Sequence, residues 1–197
     1  DARGSFVFQS DDTWALDRAT ISADNIDLSS GAGWSAAVRT FRLATRPSER
    51  VDGALDLGVE LSGFRPANTA LARMVELDLL PDSIERLKLD AALRFDAPWD
   101  RRAIEDARPK LAAMSLHRAE MIYGQMEMWA AGDLTFDALG RISGSVTLKL
   151  TNWREMLNLA KTAGWLPARL AGAVEQGLEL LAGLAGSSKT LDVPQPI

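Results

Sequence analysis

The chain has 197 residues, of which 47% are apolar and 25% are charged. This length and composition indicate a folded domain with a sizeable core and exclude a largely disordered chain. The net charge of −5 argues against a nucleic-acid-binding protein, because that affinity depends largely on neutralising phosphates. The lack of cysteine excludes disulfides, thiolate metal sites and cysteine nucleophiles, and it leaves the compartment open.

The two ends of the sequence indicate a piece of a longer chain. It begins at Asp1 without a methionine, opens almost directly into a strand-like stretch, and ends at Ile197 without a closing element. No signal peptide is visible, and no apolar run approaches the roughly 20 residues that cross a bilayer. We therefore expect a fragment or processed part of a longer protein, folded as a single domain over residues 1–197.

The first strands are predicted from alternating apolar and polar residues. Residues 5–9 and 14–21 predict a pair of strands around an acidic turn. In the following strand the apolar residues change parity between Val38 and Phe41. A pure strand would turn its dry face over at such a change, so we predict a bulge near Arg39 and the threonine after it.

Alternation also predicts strands over residues 51–61, 87–95 and, less regularly, 115–122. Pro66 at a first helical position predicts a short helix after the first of these strands. Asp100 is the predicted N-cap of another short helix that runs to about residue 107. The leucines expected to wedge under the sheet are Leu77, Leu79 and Leu80.

A hairpin with one dry face is predicted between Gln125 and Leu150. Apolar residues occupy every second position on both sides of a turn at 137–140. We take its apolar side as a candidate surface for contact with a partner. Two tryptophans are added to this surface: one alternates with the polar residues of its strand, and the other lies in a later break between helices. The candidate residues are Met126, Met128, Trp129, Leu134, Phe136, Val146, Leu148 and Trp165.

The period becomes helical at Asn152. Asn152 with Glu155 three residues later resembles a capping box. A break at residues 164–167 separates this helix from a second one, which gives a helical hairpin over residues 152–186. The sequence therefore predicts an α+β fold: a long, twisted, mainly antiparallel sheet with short inserted helices and a C-terminal helical hairpin packed on one face.

No residue pattern predicts a catalytic, metal or cofactor site. His117 is the single histidine and has no partner motif, so we interpret it as structural or solvated. The acidic residues at 11, 12, 24 and 27 lack calcium-loop spacing and are interpreted as turn residues. The glycines at 31 and 33 precede a strand, whereas a dinucleotide loop precedes a helix. A carboxylate pair assembled in space leaves no spacing signature, and an enzyme of that kind is the third hypothesis.

The six tryptophans allow two interpretations. Most lie at the ends of elements, where the ring packs at the edge of the core and the indole N–H reaches water or a carbonyl. Alternatively, Trp129 and Trp165 belong to an exposed surface for a partner or a membrane interface. The C-terminal helices carry few basic residues, which favours packing on the sheet or on a partner helix over binding to a membrane surface.

Two stretches of the second half resemble an uncharacterised proteobacterial family known as a domain of unknown function. They are LRFDAPWDRRAIE at 93–105 and YGQMEMWAAGDLTFDALGRISGSVTLKLTNWREML at 123–157. The spaced glycines of the second stretch, followed by an asparagine-led helix, are its most specific part. The resemblance implies an envelope protein that is anchored in the inner membrane by an upstream segment and lies in the periplasm. In such proteins glycine-rich strands return after the helical pair. The strand style also resembles AsmA-like proteins, which shield an apolar groove.

From this resemblance and the apolar strands we expect a non-enzymatic periplasmic domain without a cofactor. Its apolar sheet face or groove would contact an envelope lipid or a membrane-associated protein. The competing interpretation of the strands is an ordinary core, with the helices covering the whole apolar face. The alternative function is a structural or assembly subunit that docks through exposed tryptophans or a strand edge.

Overall fold

The computed structural model describes residues 1–12, 14–31, 35–65, 69–78, 80–184 and 190–196. Within these residues nine strands form one antiparallel sheet, and each strand pairs with its neighbours in the sequence. The predicted α+β fold with an antiparallel sheet is confirmed. The strands are β1 (Ala2–Phe8), β2 (Leu16–Ser29), β3 (Ser35–Pro47), β4 (Ala54–Phe64), β5 (Ile84–Phe95), β6 (Leu111–Tyr123), β7 (Met126–Phe136), β8 (Ile142–Thr151) and β9 (Thr190–Pro196).

Four helices accompany the sheet in the described residues. Two are short insertions between strands, and two form the predicted C-terminal helical hairpin, which ends before β9. None of the described helices is long and apolar enough to cross a membrane. The helices are α1 (Thr69–Glu76), α2 (Arg102–Glu105), α3 (Trp153–Thr162) and α4 (Ala168–Leu184).

The sheet has one apolar face because the registers align apolar residues across the strands. Directly opposed residues of antiparallel strands share a face. The row through Leu43 and Leu89 is apolar across eight strands, and the rows on both sides of it contain leucine, methionine and phenylalanine. We call this side the apolar face and the other side the charged face. The row through Leu43 and Leu89 consists of Gly4, Ile21, Leu43, Val59, Leu89, Ala119, Ala130 and Leu148.

The bulge predicted near Arg39 is wrong. The registers of β2–β3 and β3–β4 pass this level without a shift. Instead, the apolar parity changes in β2, β3, β4 and β5 at one level, and the residues facing Arg39 in β2 and β4, Asn25 and Gly63, have φ angles of 54° and 58°. Ile84 and Leu87 differ in parity but pack in the same cluster. The neighbouring strands thus bend together, which a single strand's pattern does not reveal.

A bulge does occur in β6. The pairing of β6 with both β5 and β7 shifts by one residue around His117, so one extra residue lies in the middle of β6. Leu116 and Ala119 are therefore both on the apolar face although their parities differ. This shift explains why residues 115–122 gave the least regular strand pattern.

Two clusters form the core at one end of the apolar face. The first joins Ile84, Tyr123 and Met126 of the sheet to Leu159 of α3 and Met74 of α1. The second joins α3, α4 and the apolar side of β8 around Trp153 and Ala182. Of the three leucines expected under the sheet, Leu80 packs against the first cluster, Leu77 is 64% exposed, and Leu79 lies outside the described residues.

The start of α3 agrees with the sequence, but the predicted capping box is wrong. Asn152 has a left-handed backbone and its side chain caps no helical N–H. The amide Nδ2 instead donates to the carbonyl of Gln125 at 2.5 Å, which ties the start of α3 to the turn before β7. The sequence also missed β9, which follows the helices and pairs with β8.

Candidate functional site

The candidate apolar residues of the hairpin divide between the core and the open part of the apolar face. Met126 is 2% exposed and belongs to the first core cluster. Leu148 packs against the cluster around Trp153. The remaining candidates on this face are half-buried and belong to neither cluster. They are Met128, Leu134, Phe136 and Val146.

The open part of the apolar face extends away from the helical end. Its central residues Leu43, Val59 and Leu89 are half-buried and lie outside both core clusters. They stand next to one another in β3, β4 and β5. The same holds for Leu57 in the neighbouring row. The helices therefore complete the core at one end of the sheet and at Leu148 and Leu150 of β8, and an apolar area remains in the middle of the sheet.

The two tryptophans of the candidate set lie apart from this area. Trp129 projects from the charged face, where it is half-buried and the Arg118 guanidinium stacks 4.8 Å from its ring centre. Trp165 is 58% exposed in the connection between α3 and α4. The eight candidate residues consequently do not form one surface. Trp129 belongs to a cation–π pair, and Trp165 remains an exposed ring.

The charged face carries a depression that the sequence did not predict. It encloses about 630 Å³ between β2 and β5. Its floor is a row of small residues, Thr20, Ala44 and Gly58, which are opposed in register. Longer side chains of the rows on each side form the walls. Each of the three strands contributes one small residue to the floor, so the depression appears only once the register is known.

The walls of the depression combine five basic and three acidic side chains. The acidic ones are Asp56, Glu60 and Asp90. Asp56 is 9% exposed and lies 3.8 Å from Arg46. Asp90 lies 3.9 Å from Arg50. The basic side chains are Arg18, Arg42, Arg46, Arg50 and Lys88.

His117 does not complete a catalytic or metal site. The bulge places its Nδ1 3.5 Å from Asp90, and that nitrogen is buried without a hydrogen-bond partner in the described structure. Across the described ranges, no group of three or more histidine, aspartate and glutamate side chains is arranged to hold a metal ion. The interpretation of His117 as a structural residue agrees with this position.

Three acidic side chains have shifted pKa values, and each shift has a structural cause. Burial raises the pKa of Tyr123, with the nearby Asp82 charge adding to it, and its hydroxyl donates to the Pro81 carbonyl at 2.9 Å. The Arg102 side chain lowers the pKa of Asp100 through a 2.7 Å hydrogen bond. In the β7–β8 turn, hydrogen bonds from Arg141 lower the pKa of Asp137. All three groups fix connections between elements.

Residues 2–197 match a family described as "Uncharacterized protein conserved in bacteria (DUF2125)". The chain belongs to DUF2125. This match covers nearly the whole chain, whereas the two stretches that carried the resemblance span only residues 93–105 and 123–157. No curated protein and no solved structure gives a significant match.

Membership in DUF2125 places the chain in a bacterial protein family, and the structure shows that this member folds as a nine-stranded sheet in the described residues. The family description assigns neither a reaction nor a ligand. The two faces of the sheet therefore provide the arguments about function. One offers apolar side chains and the other a charged depression.

Proposed function

We propose that this DUF2125 chain is a non-catalytic domain of the bacterial envelope that holds the acyl chain of a lipid on the open part of its apolar face. The observation that carries the proposal is the row of apolar side chains that runs across β2 to β8, of which the core clusters include only the β8 residue. Acyl chains contact such a surface favourably because the contact removes apolar area of both the chain and the protein from water.

The dimensions of the open area support an elongated apolar ligand. Neighbouring strands are about 4.8 Å apart, so the five spacings from β2 to β7 give roughly 24 Å of apolar surface along the row. An acyl chain lying across the strands would contact leucine and valine side chains without meeting a charge. The periplasmic location and the membrane anchor belong to the proposal and rest on the resemblance of the sequence to anchored envelope proteins.

A charge placed on the apolar face is expected to abolish acyl-chain binding. Val146 is half-buried on this face, outside the core clusters, and the next residue, Thr147, is exposed on the charged face. We expect Val146→Asp to lower the affinity for cis-parinaric acid, a fluorescent fatty acid, at least tenfold. Thr147→Asp, which adds the same charge one residue away, should leave that affinity within twofold.

Equal binding by both variants would rule out the apolar face as the acyl site. Native mass spectrometry of the protein purified from bacterial cells gives an independent test. A bound lipid supports the proposal, whereas the recovery of a stoichiometric protein partner with no lipid contradicts it. Urea unfolding of both variants verifies that they retain the folded state.

A second candidate function is assembly through the edge strand β1. This strand pairs only with β2 in the described sheet, and its Phe6 and Phe8 are 57% and 47% exposed. The opposite edge strand carries prolines at 194 and 196, which disfavour further pairing. If β1 is an assembly edge, Phe6→Lys will shift the protein from oligomer to monomer in sedimentation. If the unsubstituted protein already sediments as a monomer, self-assembly through this edge is excluded.

A further inference from the structure

We propose that the depression on the charged face binds a small soluble phosphate ester. The proposed lipid function does not require the charged groups of this depression, because they belong to the charged face. By register and parity, Arg18, Arg42 and Lys88 project on that side of the sheet. Residues of the apolar face that adjoin these positions along the strands also border the depression: Ile21, Leu43, Leu57, Val59 and Leu89.

The shape of the site follows from three opposed small residues. Thr20 pairs with Ala44, and Ala44 pairs with Gly58, so three neighbouring strands lack a long side chain in one row. The volume of about 630 Å³ lies within the range of roughly 300–1,000 Å³ that small-molecule sites occupy. All three floor residues are exposed, so a ligand reaches them from solvent.

The charges of the walls favour an anion. The cations are four arginines and one lysine against three carboxylates, on a chain whose net charge is −5. The carboxylates of Asp56 and Asp90 each lie within 4 Å of an arginine. In contrast, Arg18 and Lys88 have no ion-pair partner among the described residues. These two cations supply charge that remains available to a ligand.

The charge of the available donors favours a phosphate ester over a single carboxylate. Guanidinium groups match the oxygens of either anion, but a phosphate monoester carries a charge of about −1.5 to −2, which suits two cations without an ion-pair partner in the described structure, Arg18 and Lys88. Arg42 also donates to Asp24 at 2.7 Å and to the Phe41 carbonyl at 2.8 Å, which fixes its position in the wall. Glu60 opposes both Arg42 and Lys88 in register and is the acidic group that a bound phosphate would have to tolerate.

Calorimetric titration with glycerol 3-phosphate at low ionic strength tests the site. We expect Lys88→Gln to weaken binding at least tenfold and Glu60→Gln to strengthen it severalfold. Lys149→Gln serves as the matched control, because Lys149 is an exposed lysine on the same face but lies outside the depression. It should bind like the parent chain. If both lysine variants weaken binding equally, the affinity depends on the overall charge of this face and not on the depression, which overturns the proposal.

Gly58→Ile separates the shape of the site from its charge. A Cβ at residue 58 would meet nothing closer than the Ala44 carbonyl oxygen at 4.0 Å, so the variant is expected to fold. The added side chain fills the floor while every charge remains, and we expect binding to fall at least tenfold. Ala44→Leu fills the same floor from the next strand and serves if Gly58→Ile fails to fold.

Two outcomes would contradict the assignment of a soluble ester. Undiminished binding by the floor-filled variants would place the ligand elsewhere on the protein. Binding to phosphatidylglycerol vesicles that Lys88→Gln weakens and Val146→Asp does not, with no binding of glycerol 3-phosphate, would show that the charged face contacts a membrane surface instead. The Val146→Asp variant should bind glycerol 3-phosphate normally, so a failure of the lipid proposal and a failure of this one are distinguishable.

Discussion

Gly132→Ala is expected to destabilise the fold by roughly 3 kcal/mol, because the two strands of the β7–β8 hairpin approach closely at this glycine. A Cβ at residue 132 would lie 2.7 Å from the Val146 Cα and would also collide with the Ser145 carbonyl oxygen. These contacts are backbone atoms, which move only if the strands separate. Urea unfolding followed by circular dichroism measures the change in the free energy of unfolding.

Gly58→Ala is the matched control for this change. Gly58 also lies within a strand, but its Cβ would have open space, so the same substitution should change the stability by less than about 1 kcal/mol. If both variants are equally stable, the close approach of β7 and β8 is absent in solution. Gly144→Ala should resemble Gly132→Ala, because Gly144 has a φ of 144° and an added Cβ would lie 3.0 Å from Leu134 Cα.

Trp153→Ala is expected to cost about 3–5 kcal/mol and to detach the C-terminal helical hairpin from the sheet. Trp153 is 1% exposed and is the largest fully buried side chain in the described structure. It packs with Leu157 of its own helix, Ala182 of α4 and Leu150 of β8, so its removal leaves a cavity where three elements meet. The loss is measurable by urea unfolding and by faster proteolysis within α4.

Trp153→Phe distinguishes the ring volume from the indole N–H. The Nε1 atom of Trp153 is buried and has no hydrogen-bond partner among the described residues. Phenylalanine keeps most of the apolar contact and removes an unpaired donor, so we expect a cost below about 1.5 kcal/mol. A cost equal to that of Trp153→Ala would mean that the N–H, and not the ring, stabilises this cluster.

The parts of the fold predicted from sequence are those that depend on local periodicity. Residues 87–95 of β5 and the strand Ile142–Thr151 were predicted because apolar and polar residues alternate along them, with the apolar residues on one face of the sheet. The start of α3 at Trp153 was predicted from the change of period. The apolar parity also placed Met128, Leu134 and Val146 correctly on one face.

The features that were missed depend on how separate strands align. The shared bend at Asn25, Arg39 and Gly63 appears in one strand as a change of parity, which has the same appearance as a bulge. The capping box failed because the Asn152 amide bonds a residue 27 positions away. The depression around Gly58 requires the register of three strands. None of these relations can be identified from a single stretch of sequence.

The order of the strands has a consequence for how the protein folds. Because each strand pairs with the preceding one, the sheet closes no contact between its first and last strands. Pairing between strands that follow one another keeps the contact order low for a sheet of this size, and a low contact order favours fast folding. During synthesis each new hairpin can add to the edge already formed, with no need to await the C-terminus. Until α3 and α4 emerge, however, the end of the apolar face that they cover stays exposed to water on the nascent sheet.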